Sequence, residues 1–161
     1  LVSCDIYEHK LDKIAQGAHR LGLTCIQTRL ADGREPQNDL IGWADFVLCD
    51  VPCSGFGILR KKPEIRFKTE EEIRDLPQTQ AAILENASRY VKLGGTLVYS
   101  TCTVLEQENG AVVQQFLQQH PDFSLVPFAH PVCGSTEGMI TLLPSLHQTD
   151  GFFIAKLRRA P

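Results

Sequence analysis

Two short stretches of this chain carry side chains that do chemistry. Asp50-Val51-Pro52-Cys53-Ser54-Gly55-Phe56-Gly57 joins an acid at a strand end, a proline that fixes the backbone, a thiol, and two glycines that permit close approach. Ser100-Thr101-Cys102-Thr103 ends another apolar run with a second thiol. A free cysteine titrates near ~8.5, so only a few per cent is thiolate at neutral pH. Thiolate is nonetheless a strong nucleophile, and a neighbouring acid–base system raises its activity. Two thiols on adjacent loops could attack and release a common substrate, form a regulatory disulfide, or bind a metal with a histidine. No second ligand pair has finger-like spacing, which disfavours the metal. The plain alternative is a tight loop with an inert, buried cysteine. The polar, glycine-rich setting of Cys53 weighs against it.

Other candidates lie nearby. Asp5 closes an apolar run and precedes a helical pattern, where an acid can accept hydrogen bonds from a ribose or simply favour the helix dipole. Asp32-Gly33 either receives an adenine amino group or makes a turn, and from sequence alone the turn is favoured. Arg60-Lys61-Lys62, with Arg66 and Lys68, follows the Cys53 loop and fits phosphate contacts or a solvated loop face. Phe56 and Phe67 are placed to stack a base, but packing is the better expectation. His9, His19, His120, His130 and His147 form no set.

The elements that must position these residues follow from periodicity. Leu1–Asp5 reads as a short buried strand. Leu11, Ile14, Ala15, Ala18 and Leu21 share a helix face that Gly22 ends. Thr24–Thr28 and Phe46–Cys49 read as strands, the latter ending at Asp50, and Val51–Lys68 as a long irregular loop. A helix over Pro77–Val91 leads through a Gly94-Gly95 turn to a strand over Thr96–Ser100. A helix over Glu106–His120 precedes three strands, Phe123–Val126, Ile140–Leu143 and Phe152–Leu157. Alternating strands and helices predict an α/β fold with a largely parallel sheet, closed by an antiparallel strand pair. Ligands of such sheets sit beyond the carboxyl ends of the strands, where Asp5, Asp50 and Cys102 fall.

The 161 residues amount to about one domain. A composition of 43% hydrophobic and 22% charged residues is that of an ordinary globular protein. No apolar run approaches the ~20 residues that span a bilayer, so no membrane association is expected. The net charge of −3 argues against bulk-charge binding of nucleic acid but allows a local basic patch. The six cysteines include no C-x-x-C pair and point to a reduced, cytoplasmic setting. Starting at Leu1-Val2-Ser3, without a signal-peptide pattern, the chain reads as a piece of a longer protein.

The two cysteine stretches resemble motifs IV and VI of the Nop/Sun family of RNA (cytosine-5) methyltransferases, nearest to its bacterial Sun/Fmu-type 16S rRNA branch. The resemblance continues through Gly57–Ile65, Leu93–Tyr99, Glu106-Gln107-Glu108-Asn109 and Asp150-Gly151-Phe152-Phe153. It implies S-adenosylmethionine as cofactor, ribosomal RNA as partner, and a Rossmann-like methyltransferase sheet. Cys102 matches the nucleophile that adds to carbon 6 of cytosine, and Cys53 the thiol that resolves the adduct. Asp5 matches the ribose-binding acid, Asp32 the acid near adenine, and Asp50 the acid near the methionine part and the target base. Pro52 would set its carbonyl near the cytosine amino group; Arg60 and Lys61, from the basic cluster beside the Cys53 loop, are the expected contacts to the RNA substrate. The family's glycine-rich motif I and its N-terminal RNA-binding domain have no counterpart here. Residues 1–161 thus read as a partial catalytic domain, its sheet incomplete at the motif I strand, where a second chain could fill the gap. Such a chain is expected to be inactive alone. The rivals are a non-catalytic RNA-binding module of the same fold and a Cys53–Cys102 redox switch.

Overall fold

The computed structural model describes residues 1–161, which form two compact units, 1–38 and 39–161. The first is a strand–helix–strand unit. Strand β1 (Val2–Asp5) leads into helix α1 (Glu8–Arg20), and β2 (Gln27–Leu30) returns parallel to β1, with Val2 opposite Gln27 and Asp5 opposite Leu30. Leu11 and Ala18 are the buried residues of α1, one stripe of a helix otherwise open to solvent. Gly22, at φ +67°, ends it in a left-handed turn that tolerates no Cβ cheaply. The sequence placed the second strand at Thr24–Thr28. The structure starts it at Gln27, because the residues after Gly22 carry the chain back from the helix end before pairing begins. Nor is β1 buried: its residues are half-buried, with Cys4 exposed.

The second unit holds a mixed sheet. Its elements are β3 (Ala44–Asp50), α2 (Glu70–Ile73), α3 (Leu76–Tyr90), β4 (Val91–Thr101), α4 (Gly110–Gln119), β5 (Phe123–Leu125), β6 (Phe128–His130), β7 (Gly134–Thr136), β8 (Met139–Leu142), α5 (Pro144–His147) and β9 (Phe152–Arg159). The order is β3-β4-β9-β5, with β8 also on β9, while β6 and β7 form a separate hairpin. β3 and β4 are parallel, and β9 runs antiparallel to β4, β5 and β8. The long α3 crossover between β3 and β4 is what a parallel pair requires.

The core lies between sheet and helices. Leu97, Tyr99, Ala155 and Leu157 project from β4 and β9 onto Leu84 and Ala87 of α3 and Val112, Val113 and Phe116 of α4. Tyr99 is fully buried, so its hydroxyl needs a partner, and it donates to the Glu108 carbonyl at 2.7 Å.

Two elements differ from the pattern-based expectation. Gly94-Gly95 is no turn between helix and strand: β4 runs through both as one strand, with an irregular register where it meets β3. Gly94 takes φ +74°, and a Cβ on Gly95 would meet Val91 Cγ1 at 2.8 Å and the Lys92 carbonyl at 2.9 Å. The helix expected over Glu106–His120 is divided. Glu106–Glu108 forms a 3-10 turn, and Asn109, at φ −115° and ψ −105°, breaks the helical path before α4 begins at Gly110. The loop after Asp50 also ends in a 3-10 turn, Pro63–Phe67. No helix is long and apolar enough to cross a membrane.

Leu84 is fully buried and Leu146 is exposed. Leu84→Ala should therefore destabilise the chain by about 2–5 kcal/mol in urea unfolding, whereas Leu146→Ala should stay within about 0.5 kcal/mol.

Candidate active site

The parallel register of β3 and β4 sets Asp50 opposite Ser100. The Ser100 hydroxyl donates to Asp50 Oδ1 at 2.8 Å, and Val51 N–H donates to the Ser100 carbonyl at 3.2 Å. Both chains leave the sheet at the same end. Three residues beyond Asp50 and two beyond Ser100, their thiols meet, with Cys53 Sγ 3.0 Å from Cys102 Sγ. The Cys102 backbone N–H donates to Cys53 Sγ at 3.3 Å. Both cysteines are free and half-buried.

One proton between two close sulfurs favours a thiol donating to a thiolate. The hydrogen bond from Cys53 is the largest influence on Cys102 and brings its pKa down to about 7, against burial and the Asp50 charge, with help from Lys62. The same hydrogen bond, then burial, pushes the Cys53 thiol far above its usual range. The direction of both shifts favours Cys102 as the sulfur that ionises first and Cys53 as the one that keeps its proton.

The Cys53 loop is fastened on every side. Pro52 O accepts from Gln80 Nε2 at 2.9 Å, Ser54 N–H donates to Glu108 Oε2 at 2.8 Å, and Lys68 Nζ donates to Ser54 O at 2.8 Å. The Ser54 and Thr103 hydroxyls are 2.7 Å apart. Gly57 threads between two other backbones: its N–H donates to Cys102 O at 3.0 Å and its carbonyl accepts from Gly151 N–H at 2.7 Å. A Cβ on Gly57 would lie 1.9 Å from Gly151 O, which only glycine avoids.

Arg60 and Lys61 sit beside this loop, and both pair with Asp150, at 3.5 and 2.5 Å. The Lys61 ammonium holds the Asp150 carboxyl below its usual range. Both cations stay mostly exposed while paired. The expectation that Phe67 would pack is wrong: its ring is 72% exposed, with the Arg66 guanidinium 4.7 Å from its centroid. The 3-10 turn explains this, since Ile65 takes the buried position of that turn and Phe67 cannot share it. Phe56 is half-buried.

Asp5 and Asp32 belong to the first unit, at and just beyond the carboxyl ends of β1 and β2. Asp5 Oδ1 accepts from Tyr7 N–H at 2.9 Å, and Oδ2 has only Lys10 Nζ near it, at 3.7 Å. Asp32 is more committed. Oδ1 accepts from the Arg34 N–H and Nε at 2.9 and 3.0 Å, and Oδ2 from Nη2 and Nε at 2.6 and 3.2 Å. Those bonds hold its pKa down at about 2. Its carbonyl also accepts from Glu35 N–H at 3.0 Å, so Asp32 closes a turn.

Four further residues of the site had no role assigned from the sequence: Glu108, Asn109 and Asp150 lay in stretches that carried only the resemblance, and Gln80 was not singled out at all. Glu108 and Asn109 fall inside the helix expected over Glu106–His120, and a polar residue within a helical pattern, Gln80 included, gives no sign of burial.

An α/β sheet with these strand-end residues is the fold of Rossmann-like methyltransferases. A methyltransferase homolog from Pyrococcus horikoshii superposes with a TM-score of 0.80 at 27% identity, over 98% of this chain and 52% of that one. The structure of NSun6 from Pyrococcus horikoshii with SFG gives 0.77 at 27%, over 99% and 41%. Residues 1–158 match the family described as 16S rRNA methyltransferase RsmB/F, and the chain belongs to that family. It is 37% identical over 176 residues to the probable ribosomal RNA small subunit methyltransferase B of Bacillus subtilis, covering 99% of this chain. To the corresponding Synechocystis protein it is 42% identical over 166 residues. The chain spans 37% and 36% of the lengths of these two relatives.

The sulfur pair yields a direct prediction. Iodoacetamide labelling of Cys102, followed by peptide mass spectrometry, should show a half-maximal rate near pH 7, falling away as the pH drops through that value. In Cys53→Ala the donor is gone, and the midpoint should move up to the ordinary ~8.5 or beyond.

Proposed function

We propose that the protein carrying this chain transfers a methyl group from S-adenosylmethionine to carbon 5 of a cytosine in 16S ribosomal RNA, through a covalent adduct on Cys102. The observation that carries this reading is the Cys53–Cys102 sulfur pair, one sulfur poised as thiolate and the other holding the proton. A non-catalytic RNA-binding module has no need of that asymmetry; a thiol redox switch would use it too, and membership of a methyltransferase family favours the methyl-transfer reading over it. Membership of a 16S rRNA methyltransferase family supports the substrate class, and with it a cytoplasmic setting.

The cofactor fits the first unit unevenly. Asp5 keeps lone pairs on Oδ2 for a ribose hydroxyl. All four Asp32 lone-pair positions serve Arg34, so Arg34 must swing away before an adenine amino group can bind there. S-adenosylmethionine, when bound, supplies a methyl group on a positively charged sulfur that takes back the bonding pair.

The chain's own residues do the rest. The Cys102 thiolate gives an electron pair to carbon 6, and the C5–C6 pair becomes available at carbon 5 to take the methyl group. Once Cys102 Sγ is bonded to carbon, its negative charge is gone. The hydrogen bond that held the Cys53 proton goes with it, so Cys53 can lose that proton to solvent. As thiolate it takes the proton from carbon 5, the double bond re-forms, and the C6–S pair returns to Cys102. Pro52 O, fixed by Gln80, accepts from the cytosine amino group with its second lone pair. Arg60 and Lys61 exchange Asp150 for RNA phosphates.

The complete protein, 16S rRNA and labelled cofactor provide the test. Cys102→Ala should lower methyl transfer at least ~10³-fold without forming an adduct. Cys53→Ala should accumulate a protein–RNA adduct stable to denaturing electrophoresis. Methylation surviving Cys102→Ala contradicts the reading. Asp5→Ala should weaken S-adenosylmethionine binding by about 10–100-fold in calorimetry, for loss of charge-assisted hydrogen bonds worth ~1.5–3 kcal/mol.

A further inference from the structure

Glu108 is fully buried, and the mechanism above does not use it. Its Oε2 accepts from Ser54 N–H and from Gln80 Nε2, each at 2.8 Å, while Oε1 has no partner. Gln80, also fully buried, spends its other amide hydrogen on Pro52 O. The two backbone atoms that flank Cys53, Pro52 O and Ser54 N, are thus held by one Glu108–Gln80 unit. The next residue repeats the arrangement around Cys102. Asn109 Oδ1 accepts from Thr101 Oγ1 at 2.6 Å, and Asn109 Nδ2 donates to Thr103 O at 3.1 Å. Two adjacent side chains therefore each grip a segment carrying one of the two thiols.

Burying a polar side chain with one oxygen unpartnered costs stability. A hydrophobic residue would fill the same space more cheaply, but could not hold Ser54 N–H and Gln80 in place.

We propose that Glu108, acting through Gln80, is a positioning residue of this site: with Asn109 it brackets both cysteine segments and fixes the distance and direction from Cys53 Sγ to Cys102 Sγ. The inference rests on the proposed methyl transfer for its purpose. Its geometry and its test need neither RNA nor cofactor. The S–H to thiolate hydrogen bond depends on a separation of 3.0 Å, and hydrogen bonds weaken steeply with misalignment. Loosening either backbone grip lets Cys53 turn away, and Cys102 then loses the donor that makes it a thiolate.

The experiment is the pH dependence of Cys102 alkylation in this chain, with thermal unfolding followed in parallel. Gln80→Met keeps the shape but frees Pro52 O, and should move the alkylation midpoint up by about one pH unit. Glu108→Ala should do the same. Glu108→Gln keeps an accepting oxygen and should stay within about 0.3 unit of the parent. A purely structural role would lower Tm and leave the midpoint of the folded protein where it was. An unmoved midpoint in Gln80→Met overturns the proposal, including when Glu108→Ala fails to fold. If the midpoints move as expected while Cys102→Ala still methylates RNA, the bracket stands and the methyl-transfer reading falls.

Discussion

The parallel pairing of β3 with β4 is the constraint on which the site depends. With Asp50 opposite Ser100, the two chains leave the sheet level with one another, and short loops bring Cys53 and Cys102 into contact. A slip of one residue would turn every side chain of β3 to the opposite face. Cys49, buried in the core, would then exchange places with exposed Asp50, and a buried, unpaired carboxylate is costly. The alternation of buried Cys49 with exposed Asp50 at the strand end thus favours the register that brings the thiols together.

Beyond the strand ends the chain has no ladder to follow, and buried polar groups take over the positioning. Thr101, Thr103, Ser54, Gln80, Glu108 and Asn109 are all fully buried. Their bonds run mostly to the backbone on either side of the two cysteines, which a hydrophobic filling could not direct. Buried networks of this kind fix backbone direction, here at the cost of leaving Gln80 Oε1 and Glu108 Oε1 without partners. Gly57 joins the same assembly to the start of β9, lying between the Cys102 and Gly151 backbones where no side chain fits. The Asp150 carboxylate beside that junction pairs with both Arg60 and Lys61.

The sequence was most legible where a residue's role depends on order along the chain. An apolar run that stops at Asp50, and another that stops before Cys102, are visible in one dimension, and so is the helix over Leu76–Tyr90. Burial of polar residues was not legible. Glu108 and Asn109 lie inside the helix expected over Glu106–His120, yet Asn109 breaks it, with its side chain engaged by Thr101 and Thr103. Gly94-Gly95 reads as a turn by composition, yet β4 runs through it. Phe67 was expected to pack, but the 3-10 turn gives the inward position to Ile65. Each of these turns on what lies across the fold from the residue.

The central claim is that Cys102, not Cys53, forms the bond to the RNA base. The most direct measurement combines the complete protein, S-adenosylmethionine and a 16S rRNA fragment in which cytosine is replaced by 5-fluorocytosine. Fluorine at carbon 5 leaves no proton to remove, so the adduct cannot resolve. Peptide mass spectrometry of the trapped complex should place the nucleotide, with its added methyl group, on Cys102. A nucleotide on Cys53, or methylated RNA released with no adduct at all, would contradict the account.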